Sequence, residues 1–177
     1  MTAIVGVEQG GRVYVGGDSA GVSGLLLTVR ADEKVFRKDK YVFGFTTSFR
    51  MGQLLRYSLT LPEPAGDLEA FMSTVFVDAL RECLKAGGWA RKDNDREEGG
   101  TFLVGVQGRL FTIHDDYQVA KAADGFAAVG CGEEPALGAL YATAGTGLGP
   151  RKRVLRALAA AERFNGGVRG PFLCLKG

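Results

Sequence analysis

The sequence is poor in histidine: His114 is the only one. A catalytic triad or metal site that depends on imidazole would have to be built around that one side chain, which disfavours both. Cysteine is scarce as well. Cys83, Cys131 and Cys174 are odd in number and far apart, so they offer neither a disulfide framework nor the closely paired ligands of a structural zinc site. Neither sign of charge is in excess, with 22 Lys and Arg against 20 Asp and Glu and a net charge of +2. That balance gives no electrostatic case for nucleic acid. No apolar run approaches the roughly 20 residues of a membrane helix. The first residues lack the basic region and apolar stretch of a secretory signal. The glycine-rich stretches at Gly16-Gly17 and Gly145 to Gly149 lack the lysine and hydroxyl spacing of a phosphate loop. The expectation is a cytoplasmic protein with no metal, cofactor, nucleic-acid partner or membrane span.

What is present suits one domain over residues 1–177, because 46% of the residues are hydrophobic and can supply a core. Ala3 to Val7 and Arg12 to Gly17 read as a hairpin around Gly10-Gly11. A second hairpin joins Lys34 to Arg37 with Tyr41 to Phe45. Two helices follow, Phe49 to Thr60 and Leu68 to Ala86. Asp67 is placed to cap the second, whose apolar positions Leu68, Phe71, Met72, Val75, Ala79, Leu80 and Cys83 recur mostly at helical spacing. Gly87 to Gly100 is polar apart from Trp89 and reads as an exposed loop. A third hairpin, Thr101 to Val106 with Arg109 to His114, precedes a strand at Phe126 to Val129. Helices follow from about Pro135 and from Pro150, and a strand at Phe172 to Leu175 closes the chain. Helices in two separate pairs around antiparallel hairpins predict an α+β fold, a four-layer αββα sandwich of two antiparallel sheets.

The chemistry concentrates on Thr2, Asp18 and Lys34. Loss of Met1 would leave Thr2 with a free α-amine. A threonine hydroxyl is a poor nucleophile until a base takes its proton. The residue's own amine, with a pKa of about 8, can be that base. A lysine nearby favours the neutral amine by like-charge repulsion, and an aspartate can hold that lysine in place. None of this needs histidine. Taken singly, each residue has a plainer reading: Asp18 as a turn residue, Lys34 as a solvated charge, Thr2 as an ordinary second residue. The plainer readings elsewhere stand, with Cys83 as core, His114-Asp115-Asp116 as a turn and Arg151-Lys152-Arg153 as a solvated helix start.

The run Thr2-Ala3-Ile4-Val5-Gly6-Val7, followed by a Gly-Gly turn and Val13-Tyr14-Val15-Gly16-Gly17-Asp18-Ser19, resembles the amino terminus of proteasome β-subunits, and in particular the bacterial HslV type. Asp18 and Lys34 follow Thr2 at that family's spacing of nucleophile, aspartate and lysine. Gly24 and Lys34-Val35-Phe36 fit the same pattern. Val42-Phe43-Gly44-Phe45 is similar to a strand ending in a glycine whose N–H forms the oxyanion hole. Ala128-Val129-Gly130-Cys131-Gly132 resembles an Ile-Gly-Ser-Gly run before a helix, with Cys131 where the family has serine. Ala160 to Gly167 resembles a later conserved segment, with Glu162 and Asn165 where the family has aspartate and serine.

The resemblance implies the N-terminal-nucleophile (Ntn) hydrolase fold and a threonine endopeptidase. Its site residues would be Thr2, Asp18, Lys34, Gly44 and Cys131. It implies homo-oligomeric rings of six or seven subunits, stacked in pairs, that admit unfolded polypeptide, with an ATPase unfoldase as a partner. The alternatives are an inactive structural or assembly subunit that keeps Met1, and a small-molecule amidase on the same fold.

Overall fold

The computed structural model describes residues 1–93 and 96–177. The first strands, β1 (Ile4–Gln9) and β2 (Arg12–Gly17), pair from Ile4–Gly17 to Gln9–Arg12. Gly10 and Gly11 both take positive φ at their turn, the conformation that a two-residue hairpin of matching twist requires. A small separate ribbon, β3 (Ala20–Ser23) with β4 (Leu26–Val29), comes next. It was not read from the sequence. β5 (Val35–Lys38) and β6 (Tyr41–Phe45) form the next hairpin.

Helix α1 comprises Phe49–Gln53 and a π-helical continuation, Leu54–Ser58. Helix α2 runs through Leu68–Phe71, a π-helical turn at Met72–Phe76, and Val77–Ala86. The Asp67 side chain caps it by accepting from Ala70 N at 2.8 Å. The π turn shifts the phase of the helix. The buried face therefore passes through Met72, Phe76 and Leu80, and Val75, expected on that face, is 51% exposed.

Within the expected loop, β7 (Arg91–Asp93) pairs with β8 (Arg96–Glu98). The part of that loop at residues 94 and 95 lies outside the described residues. The remaining elements are β9 (Phe102–Val106), β10 (Arg109–Ile113), β11 (Val119–Ala120), β12 (Phe126–Val129), α3 (Glu133–Ala142), α4 (Pro150–Phe164) and β13 (Leu173–Lys176).

One antiparallel sheet has the order β12-β1-β2-β13 and the other β11-β10-β9-β6-β5. Side-chain alternation along each strand sorts the apolar residues into three layers. Ile4, Val13, Val15, Val35, Val42 and Leu103 fill the space between the sheets. Phe43, Phe45 and Phe102 point outward from the five-stranded sheet to α1 and α2, where Leu55, Met72, Phe76 and Leu80 meet them. Val5 and Val7 point the other way, to Ala136, Leu140, Val154 and Leu158 of α3 and α4. The result is the expected αββα sandwich, and each layer is packed with apolar side chains because both strand faces are apolar. Among the described residues, no helix is long and apolar enough to cross a membrane.

Candidate active site

Four chain segments converge at one end of the two sheets: the entry to β1, the exit of β2, the entry to β5 and the connection from β12 to α3. Thr2, 6% exposed, immediately precedes β1. Asp18 leaves β2 opposite it, since Asp18 N donates to Ala3 O at 3.3 Å. Lys34 enters β5. Its Nζ donates to Asp18 Oδ1 at 2.8 Å, and both side chains are almost wholly excluded from solvent.

Asp18 is held on all sides. Oδ1 also accepts from Ala3 N at 3.0 Å, while Oδ2 accepts from Ala20 N at 2.9 Å and from Arg169 N at 3.3 Å. A carboxylate with one ammonium and three backbone donors has its charge fully partnered. Burial pulls the Lys34 ammonium below its usual range, against the opposing pull of Asp18. A desolvated lysine that gives up its proton more readily than normal is a common feature of functional sites. The Phe49 ring covers it, with its centroid 5.7 Å from Nζ, and Arg30 stacks on the same ring at 3.6 Å.

Cys131 lies between β12 and α3. Thr2 N donates to its Sγ at 3.1 Å, and the thiol stands 3.4 Å from Thr2 O and 3.2 Å from Asn165 Oδ1. Asn165 Nδ2 in turn donates to Cys131 O at 2.7 Å. Thr2, Asp18, Lys34 and Cys131 are therefore brought together.

Gly44 is not part of this group. Phe45 N donates to Lys34 O, so the alternation of an antiparallel ladder turns Gly44 N–H the other way, toward its register partner Leu103. The Cα faces the space between the sheets, where an added Cβ would stand 2.8 Å from Val15 Cγ1 and 3.1 Å from Val35 Cγ1. Gly44 is a packing glycine, and its N–H belongs to the sheet.

The pocket at Thr2, about 90 Å³ in volume, is lined by Met1, Val22, Lys34, Phe45 and the run Thr46, Thr47, Ser48, Phe49. In that run Thr46 N donates to Thr101 O and Ser48 N to Thr46 O. Thr47 N–H has no hydrogen-bond partner among the described residues. Thr47 takes φ of 61°, a left-handed conformation that costs a non-glycine residue about 1 kcal/mol or more. Its Oγ1 is fixed by Thr101 N at 3.1 Å and by Thr46 Oγ1 at 3.2 Å. A strained residue with a free amide at the pocket lip is the feature that sequence reading missed. Nothing in a Thr-Thr-Ser run signals a positive φ.

With Met1 attached, the Thr2 nitrogen is an amide and not a base. Thr2 Oγ1 donates to Met1 O at 2.5 Å. The arrangement needs a chain that starts at Thr2 before the nitrogen can accept a proton.

The whole chain superposes on known structures. Thiobacillus denitrificans BPH in complex with epoxomicin matches with a TM-score of 0.83 and 22% identity, over 99% of this chain and 97% of that one. Eukaryotic HslV from Trypanosoma brucei matches with a TM-score of 0.71 and 21% identity, over 98% of each chain. The Gly-1 mutant of Anbu from Hyphomicrobium sp. strain MC1 matches with a TM-score of 0.71 and 16% identity, over all of this chain and 82% of that one. The fold is therefore the one shared by proteasome-type Ntn hydrolases. No protein-family profile matches the sequence, and no curated protein does.

Proposed function

We propose that this chain is a threonine-type endopeptidase whose nucleophile is Thr2 after removal of Met1. The observation that carries the reading is the fully buried Lys34–Asp18 pair beside Thr2. Burying two charges is costly, and such a pair is often no better for stability than apolar residues of the same volume. Here Asp18 spends its remaining lone pairs on Ala3, Ala20 and Arg169, so the pair fixes the segment that carries Thr2.

In the proposed reaction the α-amine takes the Thr2 hydroxyl proton, and Oγ1 attacks a peptide carbonyl to form an acyl-enzyme. The amine then returns the proton to the leaving nitrogen. Lys34 keeps the amine neutral by repulsion. The oxyanion is assigned to Thr47 N–H, the free donor at the pocket, in place of Gly44. Cys131 and Asn165 position the amine.

The experiment is an intact mass followed by treatment with epoxomicin, the compound held by the Thiobacillus denitrificans protein. The expected result is a chain beginning at Thr2 that carries one adduct on its N-terminal peptide. Cys131→Ser should still label. Labelling that survives Thr2→Ala but disappears in Cys131→Ser would defeat the threonine mechanism, because an exposed thiol can itself react with electrophiles.

The second reading, an inactive subunit that keeps Met1, is favoured by the bond from Thr2 Oγ1 to Met1 O. A mass that includes Met1, with no adduct, is its expected result.

We propose further that the chain assembles into rings of six or seven subunits, stacked in pairs, in the cytoplasm. Unfolded polypeptide would be the substrate, and an ATPase unfoldase would be the partner. The support is the β3–β4 ribbon beside the pocket. Leu25 at its tip is fully exposed, and Leu26 and Val29 are 65% and 56% exposed. Apolar side chains gathered in this way mark contact surfaces. Sedimentation at micromolar concentration should give a particle of at least about six subunits, as a closed heterologous ring requires. A monomer would exclude the ring.

A further inference from the structure

Cys131 is the one site residue whose own reactivity the proposed reaction leaves unused. Its Sγ lies 3.1 Å from the Thr2 nitrogen, and its backbone is clamped by the Asn165 side chain at 2.7 Å. The residue is exposed. No second thiol can reach it. Cys174 lies on β13, three strand spacings or about 14 Å across the sheet from β12, well beyond disulfide reach. Cys83 packs with the helix layer on the far side of the five-stranded sheet. With both other thiols out of reach, an oxidised Cys131 faces the nitrogen of Thr2 at 3.1 Å.

We propose that peroxide oxidation of Cys131 closes a reversible S–N bond between its Sγ and the α-nitrogen of Thr2, blocking the catalytic amine. This rests on the reading of Thr2 as the first residue, because loss of Met1 turns that nitrogen from an amide into a nucleophilic amine.

The chemistry balances in two steps. The Cys131 thiol is oxidised by two electrons as the peroxide O–O bond breaks, giving sulfenic acid and water from hydrogen peroxide. The Thr2 amine lone pair then attacks sulfur. The S–O bond breaks, and hydroxide leaves with an amine proton as water. The product has lost one hydrogen from sulfur and one from nitrogen. Two external thiols reverse it, reducing the S–N bond to thiol and amine and forming their own disulfide. The thiolate is the form of a cysteine that peroxide oxidises, and the Cys131 side chain is open to solvent. While the bond stands, the nitrogen cannot take the Thr2 hydroxyl proton.

The test uses the chain released from a cleavable fusion with Thr2 as its first residue. It is treated with hydrogen peroxide and then with dithiothreitol, and is read by intact mass, peptide mapping and labelling with a threonine-directed electrophile. The expected product is lighter by about 2 Da, and a single joined peptide contains both Thr2 and Cys131. Labelling of the oxidised form falls at least about tenfold and returns after reduction. In C131S, the ratio of labelling with and without peroxide stays at one, and no joined peptide forms. Gains of about 16 or about 32 Da at Cys131 without a joined peptide overturn the proposal. So does peroxide sensitivity that persists in C131S. Failure of the peptidase reading is seen separately, as absence of labelling in the reduced chain. The joined peptide still reports the bond in that case.

Discussion

With Thr2 as the proposed nucleophile, Thr2→Ala is expected to lower peptide hydrolysis by at least about 10³-fold and to leave the fold intact to within about 1 kcal/mol. The two readouts separate because the residue has two roles. In the proposed reaction the hydroxyl oxygen carries the acyl group while the amine only moves the proton, so alanine leaves nothing on this residue to be acylated and hydrolysed. Its backbone, in contrast, does the structural work: Thr2 O accepts from Gly132 N at 3.3 Å and Ala3 N donates to Asp18, and both bonds survive loss of the side chain. Thr2→Ser keeps hydroxyl and amine together and retains measurable turnover. Turnover by Thr2→Ala within tenfold of the parent chain would show that the nucleophile lies elsewhere. Peptide hydrolysis rates and thermal melts of the three chains make the comparison.

Asp18→Ala destabilises the protein by about 3–5 kcal/mol, since it strands the Lys34 ammonium, 1% exposed, without its counter-ion. For a chain of this size that lowers the melting temperature by about 6–20 °C. It also orphans the N–H groups of Ala3, Ala20 and Arg169, so the segment bearing Thr2 loses its anchor and activity falls with stability. Lys34→Met is expected to be milder in stability, because the remaining carboxylate keeps its three backbone donors, yet it removes the cation that in the proposed reaction keeps the amine neutral. In an ion pair without further partners either deletion would cost the same, whereas here Asp18→Ala is expected to cost more, because Asp18 also holds three backbone N–H groups. Thermal melts in which Lys34→Met is the more damaging change would refute the anchoring role of Asp18.

The layered fold was legible because its cause is periodic. Alternation at Val13 and Val15, the Gly10-Gly11 turn and the Asp67 cap each act over a few residues, and each appears where expected. The Asp18–Lys34 pair was legible for a different reason, as the spacing of a resemblance and not as a local rule. What escaped depends on non-local geometry. The π turn in α2 moved Val75 to solvent without a sequence signal. The β3–β4 ribbon has Gly24-Leu25 at its tip and apolar side chains on the outside, the reverse of the pattern that identifies a half-buried strand. Gly44 was assigned as oxyanion donor from its motif, but ladder alternation turns its N–H into the sheet, leaving the free amide to Thr47. A motif fixes which residues lie near a site, while the hydrogen-bond ladder decides which amides remain available to it.

The most direct measurement is N-terminal peptide mapping of the purified protein after reaction with a threonine-directed electrophile. The account predicts a first peptide beginning at Thr2 and carrying the adduct, with Cys131 unmodified. A protein whose first peptide begins at Met1 and carries no adduct, or one whose only adduct is on Cys131, would contradict it.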